Sequence, residues 1–311
     1  MAKGRKLKIY YNGIDIYNEV SLNYCVHEMY AEKQADTLVL RFNDVNGDWS
    51  KWQPALGDII RFVEKSSDTG KMFIHSMKPE NGLFTIRAMS MPLSGKNRTS
   101  KSWDGVRFFQ LGTEIAKKHD LTFKNYGCEN HVYPYIMQNH ESDFAFFSRL
   151  CTLEGYQMLV YDGALIVYTD DYIEKQTQID SIEVDENGNF TYLDDYSKIF
   201  GACEISSGSF NGKFVADNEN KSILIPDFPV FVTSNAEATR FAKGLLRNIN
   251  KYGKTGNFSK SLLTGYAAAS ILNLKTQKAS MWNGNVFVYK VRHDFVGNKT
   301  TIYFRSLLEG Y

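Results

Sequence analysis

Three runs in the first hundred residues alternate apolar and polar side chains with a period of two: Leu7, Ile9 and Tyr11; then Leu38, Leu40 and Phe42 across Thr37 to Asn43; then Phe84, Ile86 and Ala88. Such a period sends every second side chain to one face, which is the signature of a half-buried β-strand. Turn signals at Asn46-Gly47-Asp48, Asp68-Thr69-Gly70 and Glu80-Asn81-Gly82 separate the runs. A meander of antiparallel hairpins is therefore expected, and closing it into a small barrel would remove exposed strand edges. An aromatic content of 14%, against only 6 Pro, favours the same pleated surfaces.

The length of 311 residues is a soft prior for two domains, or three small ones. Gly, Asn, Arg, Thr and Lys cluster without periodicity from Ser94 to Ser102, which reads as a linker. Beyond it the period changes to that of a helix, with Phe108, Leu111 and Ile115 on one stripe. Ser142 then caps a second helix carrying Phe144, Phe147 and Cys151 and stopping at Gly155. Strands Tyr156 to Tyr161 and Ala164 to Thr169 turn over Asp162-Gly163. Strand patterning returns after Asp170, interrupted by a helix over 235–251. Ala238, Phe241, Leu245 and Ile249 form its buried stripe; Arg240, Lys243, Arg247 and Lys251 occupy its wet faces. The expected division is a first β-barrel domain over 1–95, a small α+β domain over 96–170, and a second β-barrel domain over 171–311 carrying that helix.

The closing hairpin, Val286 to Arg292 with Thr300 to Ser306, echoes an earlier one. Met72-Phe73-Ile74, Met77, Gly82, Thr85-Ile86 and Ser90 match Val286-Phe287-Val288, Val291, Gly297, Thr301-Ile302 and Ser306. One extra residue on each side of the glycine falls in the loop, where insertions cost little. Two Gly-turn hairpins can look alike by chance. If the echo is real, the first and last blocks are related barrels, and a homotrimer would carry six similar modules around one axis.

Composition narrows the function classes. Lys plus Arg total 36 against 35 Asp plus Glu, so no charge excess recruits nucleic acid or an anionic membrane. No window approaches the apolar length of a membrane span, and the basic start, Met1 to Lys8, runs into no signal-peptide core. The chain is therefore expected to be made and folded in the cytoplasm. Cys25, Cys128, Cys151 and Cys203 form no CxxC pair and are expected to be reduced and mostly buried. The histidines at 27, 75, 119, 131, 140 and 293 show no metal-ligand spacing. Gly253-Lys254-Thr255 resembles the tail of a phosphate-binding loop, but Asn248 stands where the leading Gly is required. No GxSxG elbow is present. Glu183 with Asp185, or Asp194 with Asp195, could mimic a glycosidase pair, and such neighbours are usually exposed loop charges. No catalytic, cofactor-binding or metal residue is assigned, and no cofactor is expected.

Two stretches carry a resemblance. The run Ala35-Asp36-Thr37-Leu38-Val39-Leu40-Arg41-Phe42-Asn43-Asp44, then Trp52-Gln53-Pro54 and Leu56-Gly57-Asp58-Ile59-Ile60-Arg61-Phe62, resembles the opening of the phage late control gene D family of tail hub proteins. Gln138 through Leu150, with Glu141-Ser142-Asp143 and Arg149-Leu150, then Glu154-Gly155-Tyr156 and Asp162-Gly163-Ala164-Leu165, is similar to that family's central run, with Phe147 where Leu is usual. Gly284 through His293 looks like its closing strands. The resemblance implies a mainly β, hub-type fold: two related small tail-tube-like β-barrels with an α+β insertion. It further implies a structural baseplate hub of a contractile tail, from a myophage or a phage-tail-like bacteriocin, assembled in the bacterial cytoplasm. Three hub chains would form a ring that joins the tail tube, or a tube-initiator protein, to a trimeric membrane-piercing spike, with baseplate wedge proteins around it. Because the chain stops at Tyr311, just after the last hairpin, the spike is expected to be a separate protein. The alternatives are a peptidoglycan-degrading tail enzyme and the hub domain of a tail-associated protein from a non-contractile phage.

Overall fold

The computed structural model describes residues 7–185, 188–277 and 280–311; most of the basic start, residues 1–6, lies outside them. The alternating runs become the strands Leu7–Tyr11, Thr37–Asn43 and Leu83–Met89. Together with Ser21–Tyr30, Ile59–Glu64 and Met72–Glu80 they form an antiparallel set around a core that includes Ile9, Leu40, Ile60, Ile74 and Ile86. Beginning next to the short edge strand Ile14–Asp15, the order is Leu7–Tyr11, Ile59–Glu64, Met72–Glu80, Leu83–Met89, Thr37–Asn43, Ser21–Tyr30. This corrects the expected meander, because two strands separate Thr37–Asn43 from its successor Ile59–Glu64. The cause is local: Gly47, at φ +66, opens the short helix α1 (Asp48–Trp52) instead of a hairpin. Trp49 of α1 is buried and stacks on Phe84 with ring centroids 5.2 Å apart.

A second set repeats that order. Asp180–Glu183 pairs with Ser270–Lys275, followed by Gly284–Asp294, Lys299–Ser306, Lys254–Ser261 and Phe190–Asp194. The outermost pair alone differs in direction, parallel here and antiparallel in the first set. The echoed hairpins match down to their irregularities. In the first, a β-bulge falls between Ile74 and Ser76; in the second, between Val288 and Lys290. Gly57 and Ala269, both at positive φ, donate their N–H groups to the carbonyls just before the bulges, Ile74 and Val288, each at 2.9 Å. The two sets are thus one module used twice.

Each bulge turns its strand. One edge of Gly284–Asp294 pairs with Lys299–Ser306 throughout; the other pairs with Ser270–Lys275 before the bulge, and beyond it Lys290 to Asp294 pair antiparallel with Tyr30 to Val26 of the first set. The cores interlock across this seam: Phe295 packs on Phe62 at 4.5 Å in the first, and Met29 belongs to the second. Among the described residues the first and last strands of each set do not pair with each other. Among the described residues, strand edges therefore remain where closure was expected to remove them.

Between the sets lie helices α2 (Phe108–Lys118) and α3 (Asp143–Glu154), a three-stranded sheet, and the short helix α4 (Asp170–Glu174). Ser142 caps α3, its Oγ accepting from the Ala145 N–H at 3.2 Å, and Gly155 at φ +76 ends it, as the sequence predicts. The expected linker is different: Arg98–Arg107 is a strand, paired with Val132–Ser142 in a long two-stranded ribbon. Most of that strand's side chains face solvent, so it shows no apolar alternation. Helix α5 (Asn235–Asn250) also departs from expectation. Its buried face, Ala238, Phe241, Leu245 and Leu246, shares a core with α2 and α3 rather than with the second barrel. Ile249 is exposed. The contact with α3 is backbone-close, because a Cβ on Gly244 would meet the Leu153 carbonyl oxygen at 2.2 Å.

All blocks meet in one buried ionic cluster. Lys251, expected on a wet face, is 1% exposed; it pairs with Glu32 of the first set and with Asp170 of α4 at 3.2 Å. Arg305 of the second set is fully buried, 3.1 Å from Asp170 and 2.8 Å from Glu174, and lies 4.1 Å over the Phe287 ring. Arg247 of α5 reaches Glu174 at 3.0 Å. Neutral groups complete the cluster: Gln157 donates to Asp170 and to Asn248, and the Tyr168 hydroxyl donates to the Ala31 carbonyl at 2.5 Å. Burial alone would raise the Asp170 carboxyl, but Lys251, Arg305 and Arg247 outweigh it and hold it below the ordinary range.

Two predictions follow from these joints. Arg305→Met leaves Asp170 and Glu174 buried without their cation and should cost about 3–5 kcal/mol in chemical denaturation. The second concerns acid. At the seam His27 faces His293, both fully buried, and neither His27 ring nitrogen has a hydrogen-bond partner. Burial and the neighbouring imidazole push His27 down to about 3, and burial lowers His293. A depressed histidine opposes protonation in the folded state, so its contribution to stability is lost as pH falls below the unfolded value of about 6.5. Asp36 works oppositely: burial lifts it to about 7, so folding gains as pH falls from there towards its unfolded value. His27→Leu should therefore flatten the loss of stability between pH 6.5 and 4.5, and Asp36→Asn should steepen it. Urea midpoints at pH 8, 6 and 4.5 would show both slopes.

Candidate functional site

The motif residues weighed in the sequence do not converge. His75 binds the Met91 carbonyl at 2.8 Å, His131 lies 3.5 Å from Glu129 and 3.7 Å from Glu154, and His140 is exposed at positive φ. Among the described residues no group of three His, Cys, Asp or Glu could hold a metal. The four cysteines are free. Gly253-Lys254-Thr255 leads from a helix into a strand, the reverse of a phosphate-binding loop. Asp194 pairs with Lys254 at 3.1 Å, whereas Asp195 caps the turn at Ser197. Glu183 ends the strand Asp180–Glu183, on an exposed position, and Asp185 follows it in the loop.

One relay escaped the sequence reading. Exposed Ser94 lies 2.8 Å from His119 Nδ1, and His119 Nε2 lies 2.8 Å from the buried Asp143. Lys118 at 2.8 Å and Gln138 at 2.9 Å also engage that carboxylate, and the imidazole packs on Phe144 at 4.6 Å. Burial would raise Asp143; these partners hold it low. The relay pins the turn Leu93–Lys96 to the starts of α3 and the ribbon. Its residues lie far apart in sequence, so no local motif announces them.

The most extensive feature is a surface. Residues opposite one another in an antiparallel ladder share a face, and the registers place Arg41, Arg87, Glu28 and Arg292 on one side of the sheet, opposite the cores. The same face runs on through Lys290, Tyr303, Asn257, and the Ser259–Thr301 hydroxyl pair at 2.9 Å. It is concave over the first set, a depression of about 490 Å³. Part of its charge is paired across strands: Glu28 lies 3.3 Å from Lys290 and 3.5 Å from Arg292, and Arg41 sits 5.0 Å over the Tyr24 ring. One polar surface therefore crosses both modules without a break at the seam. A separate groove of about 510 Å³ is apolar; Met137, Leu153, Phe231 and Phe241 line it between the ribbon, α3 and α5.

No helix of the described residues is long and apolar enough to cross a membrane. No family model matches the sequence, and no curated protein matches it. Solved structures do. A tail protein from Neisseria meningitidis MC58 superposes with a TM-score of 0.74 at 12% identity, covering 97% of both chains. The 43 kDa tail protein of prophage MuSo2 from Shewanella oneidensis gives 0.70 at 10%, again over 97% of both. The E. coli c3393 protein, a type VI secretion component structurally similar to the T4 tail proteins gp27 and gp5, gives 0.58 at 13%, over 98% of this chain and 78% of that one. At these identities the likeness is one of architecture: this chain has the mainly β, hub-type fold of phage tail proteins.

Proposed function

We propose that this protein is a structural baseplate hub of a contractile tail or phage-tail-like particle. Three copies form a ring that joins the sixfold tail tube, or its initiator protein, to a separate trimeric spike, with wedge proteins outside. The observation that carries this reading is the duplicated strand order, bulge for bulge, within a single sheet. One chain then presents two equivalent modules to a sixfold partner while remaining a single subunit towards a threefold one. The polar face supports a channel lining, since it carries both signs and runs across both modules. We assign the barrels to the expected limits 1–95 and 171–311, with the segment 200–250 docked on the 96–170 block. The protein works by shape and symmetry and is not an enzyme; its place is the tail of a virion or released particle, reached after assembly in the bacterial cytoplasm.

Light scattering coupled to size exclusion tests the reading. The expected result is a mass about three times the 35.6 kDa chain, with a central hole visible by electron microscopy. A monomer across the accessible concentration range would overturn it, and release of soluble fragments from purified peptidoglycan would restore the enzymatic alternative.

A further inference from the structure

The in-chain seam uses two particular edges. From the first set it takes the outer edge of Ser21–Tyr30, a strand otherwise paired, among the described residues, only with Thr37–Asn43. From the second it takes the part of Gly284–Asp294 beyond the bulge. The duplicated order gives each edge a counterpart in the other module. The counterpart of Ser21–Tyr30 is Phe190–Asp194, which pairs with Lys254–Ser261 on one side and, among the described residues, with nothing on the other. The counterpart of Lys290 to Asp294 is Ser76 to Glu80, just past the first bulge. There the strand pairs with Leu83–Met89, but its pairing with Ile59–Glu64 has already ended at Phe73. Both counterpart edges are open: Tyr192 is 42% and Leu193 48% exposed, and the Lys78 side chain 67%.

We infer that these two free edges bind each other between copies, so that Phe190–Asp194 of one chain adds antiparallel to Ser76–Glu80 of the next and repeats the in-chain seam. This rests on the ring reading and names its contact. The register follows from the seam. Opposite Arg292 stands Glu28, and opposite His293 stands His27. Carrying the ladders across the two modules, Glu28 corresponds to Leu193 and His27 to Tyr192, through their partners Thr37 and Thr255, and Leu38 and Gly256. Lys78 of one copy therefore faces Leu193 of the next, Met77 faces Asp194, and Pro79 faces Tyr192. Lys78 also gains a diagonal neighbour of opposite charge, Asp195, on the polar face. Pro79 brings no N–H, so this ladder offers one donor fewer than the seam inside the chain. The contact is head-to-tail, with different surfaces on the two sides, as a closed ring requires.

Disulfide trapping in the full chain tests the register. Lys78→Cys with Leu193→Cys puts thiols on directly opposed, exposed positions, whereas Lys78→Cys with Asp194→Cys puts them on opposite faces of the sheet. Single-cysteine variants control for the half-buried Cys128. The expected result is a protein of threefold mass that, on mild oxidation, runs as linked dimers and closed trimers for the 78/193 pair, with at least tenfold less linkage for 78/194. A threefold mass with no 78/193 linkage, or with equal linkage in both pairs, would overturn this contact and leave the ring standing. Absence of any assembly would overturn the ring, and this contact with it.

Discussion

Everything else in this molecule depends on a cluster of six charges removed from water. Lys251, Arg305 and Arg247 face Glu32, Asp170 and Glu174, and the two central cations are almost fully buried. Desolvating such groups costs several kcal/mol per ion, which mutual attraction returns only when geometry and hydrogen bonding are close to complete. An apolar plug of equal volume could hold the blocks together as strongly. It would tolerate sliding, as greasy contacts do, whereas an ionic cluster loses energy steeply when any member moves. Because the first set, the middle block, α5 and the second set each supply charges, the cluster fixes the angle between the two modules. We read it as a device for orientation more than for adhesion.

That orientation is what the seam requires. A bulge bends its strand and strengthens its twist, and in Gly284–Asp294 it hands the strand from one module to the next. His27 and His293 face each other at this point, and burial favours the neutral form of both imidazoles. The middle block closes over the joint, and Tyr168 reaches Ala31 immediately after the seam strand. The two strand sets of the single sheet are thereby tied together on both sides of the seam.

The amount of this legible in the sequence tracks how local the physics is. The strands with one wet face, such as Thr37–Asn43, wrote their period directly into the chain, and so did α3, with Ser142 and Gly155 at its ends. The hairpin echo was visible because a bulge and its flanking core residues repeat at fixed offsets. The strand order was not, since Gly47 opens a helix as readily as a turn and pairing between Thr37–Asn43 and Leu83–Met89 is decided by tertiary packing. The start of the strand Arg98–Arg107 falls in the expected linker, Ser94 to Ser102, because a ribbon with little buried surface carries no apolar signal. Lys251 was misplaced for a related reason: a helix wheel shows which face is polar but not whether that face meets water or a buried carboxylate. The polar surface across both modules existed in the sequence only as the discarded half of each alternation.

A sheet with free edges among its described residues has to manage them, and the residues there show how. Ser76–Glu80 presents a lysine, a proline and a glutamate, and Phe190–Asp194 is followed by a further aspartate. These are side chains that discourage indiscriminate strand addition. Edges left free in the chain yet guarded against casual pairing suit a contact that is to form once, with one partner, in one register. Head-to-tail contacts between identical chains either close or grow into filaments, and the rotation per step decides which. In the proposed ring that rotation is already set inside each chain by the seam and the ionic cluster, and the contact between chains has only to repeat it. In that proposed ring the buried charges act at a distance: by fixing one angle within the subunit, they would set how many subunits complete the circle.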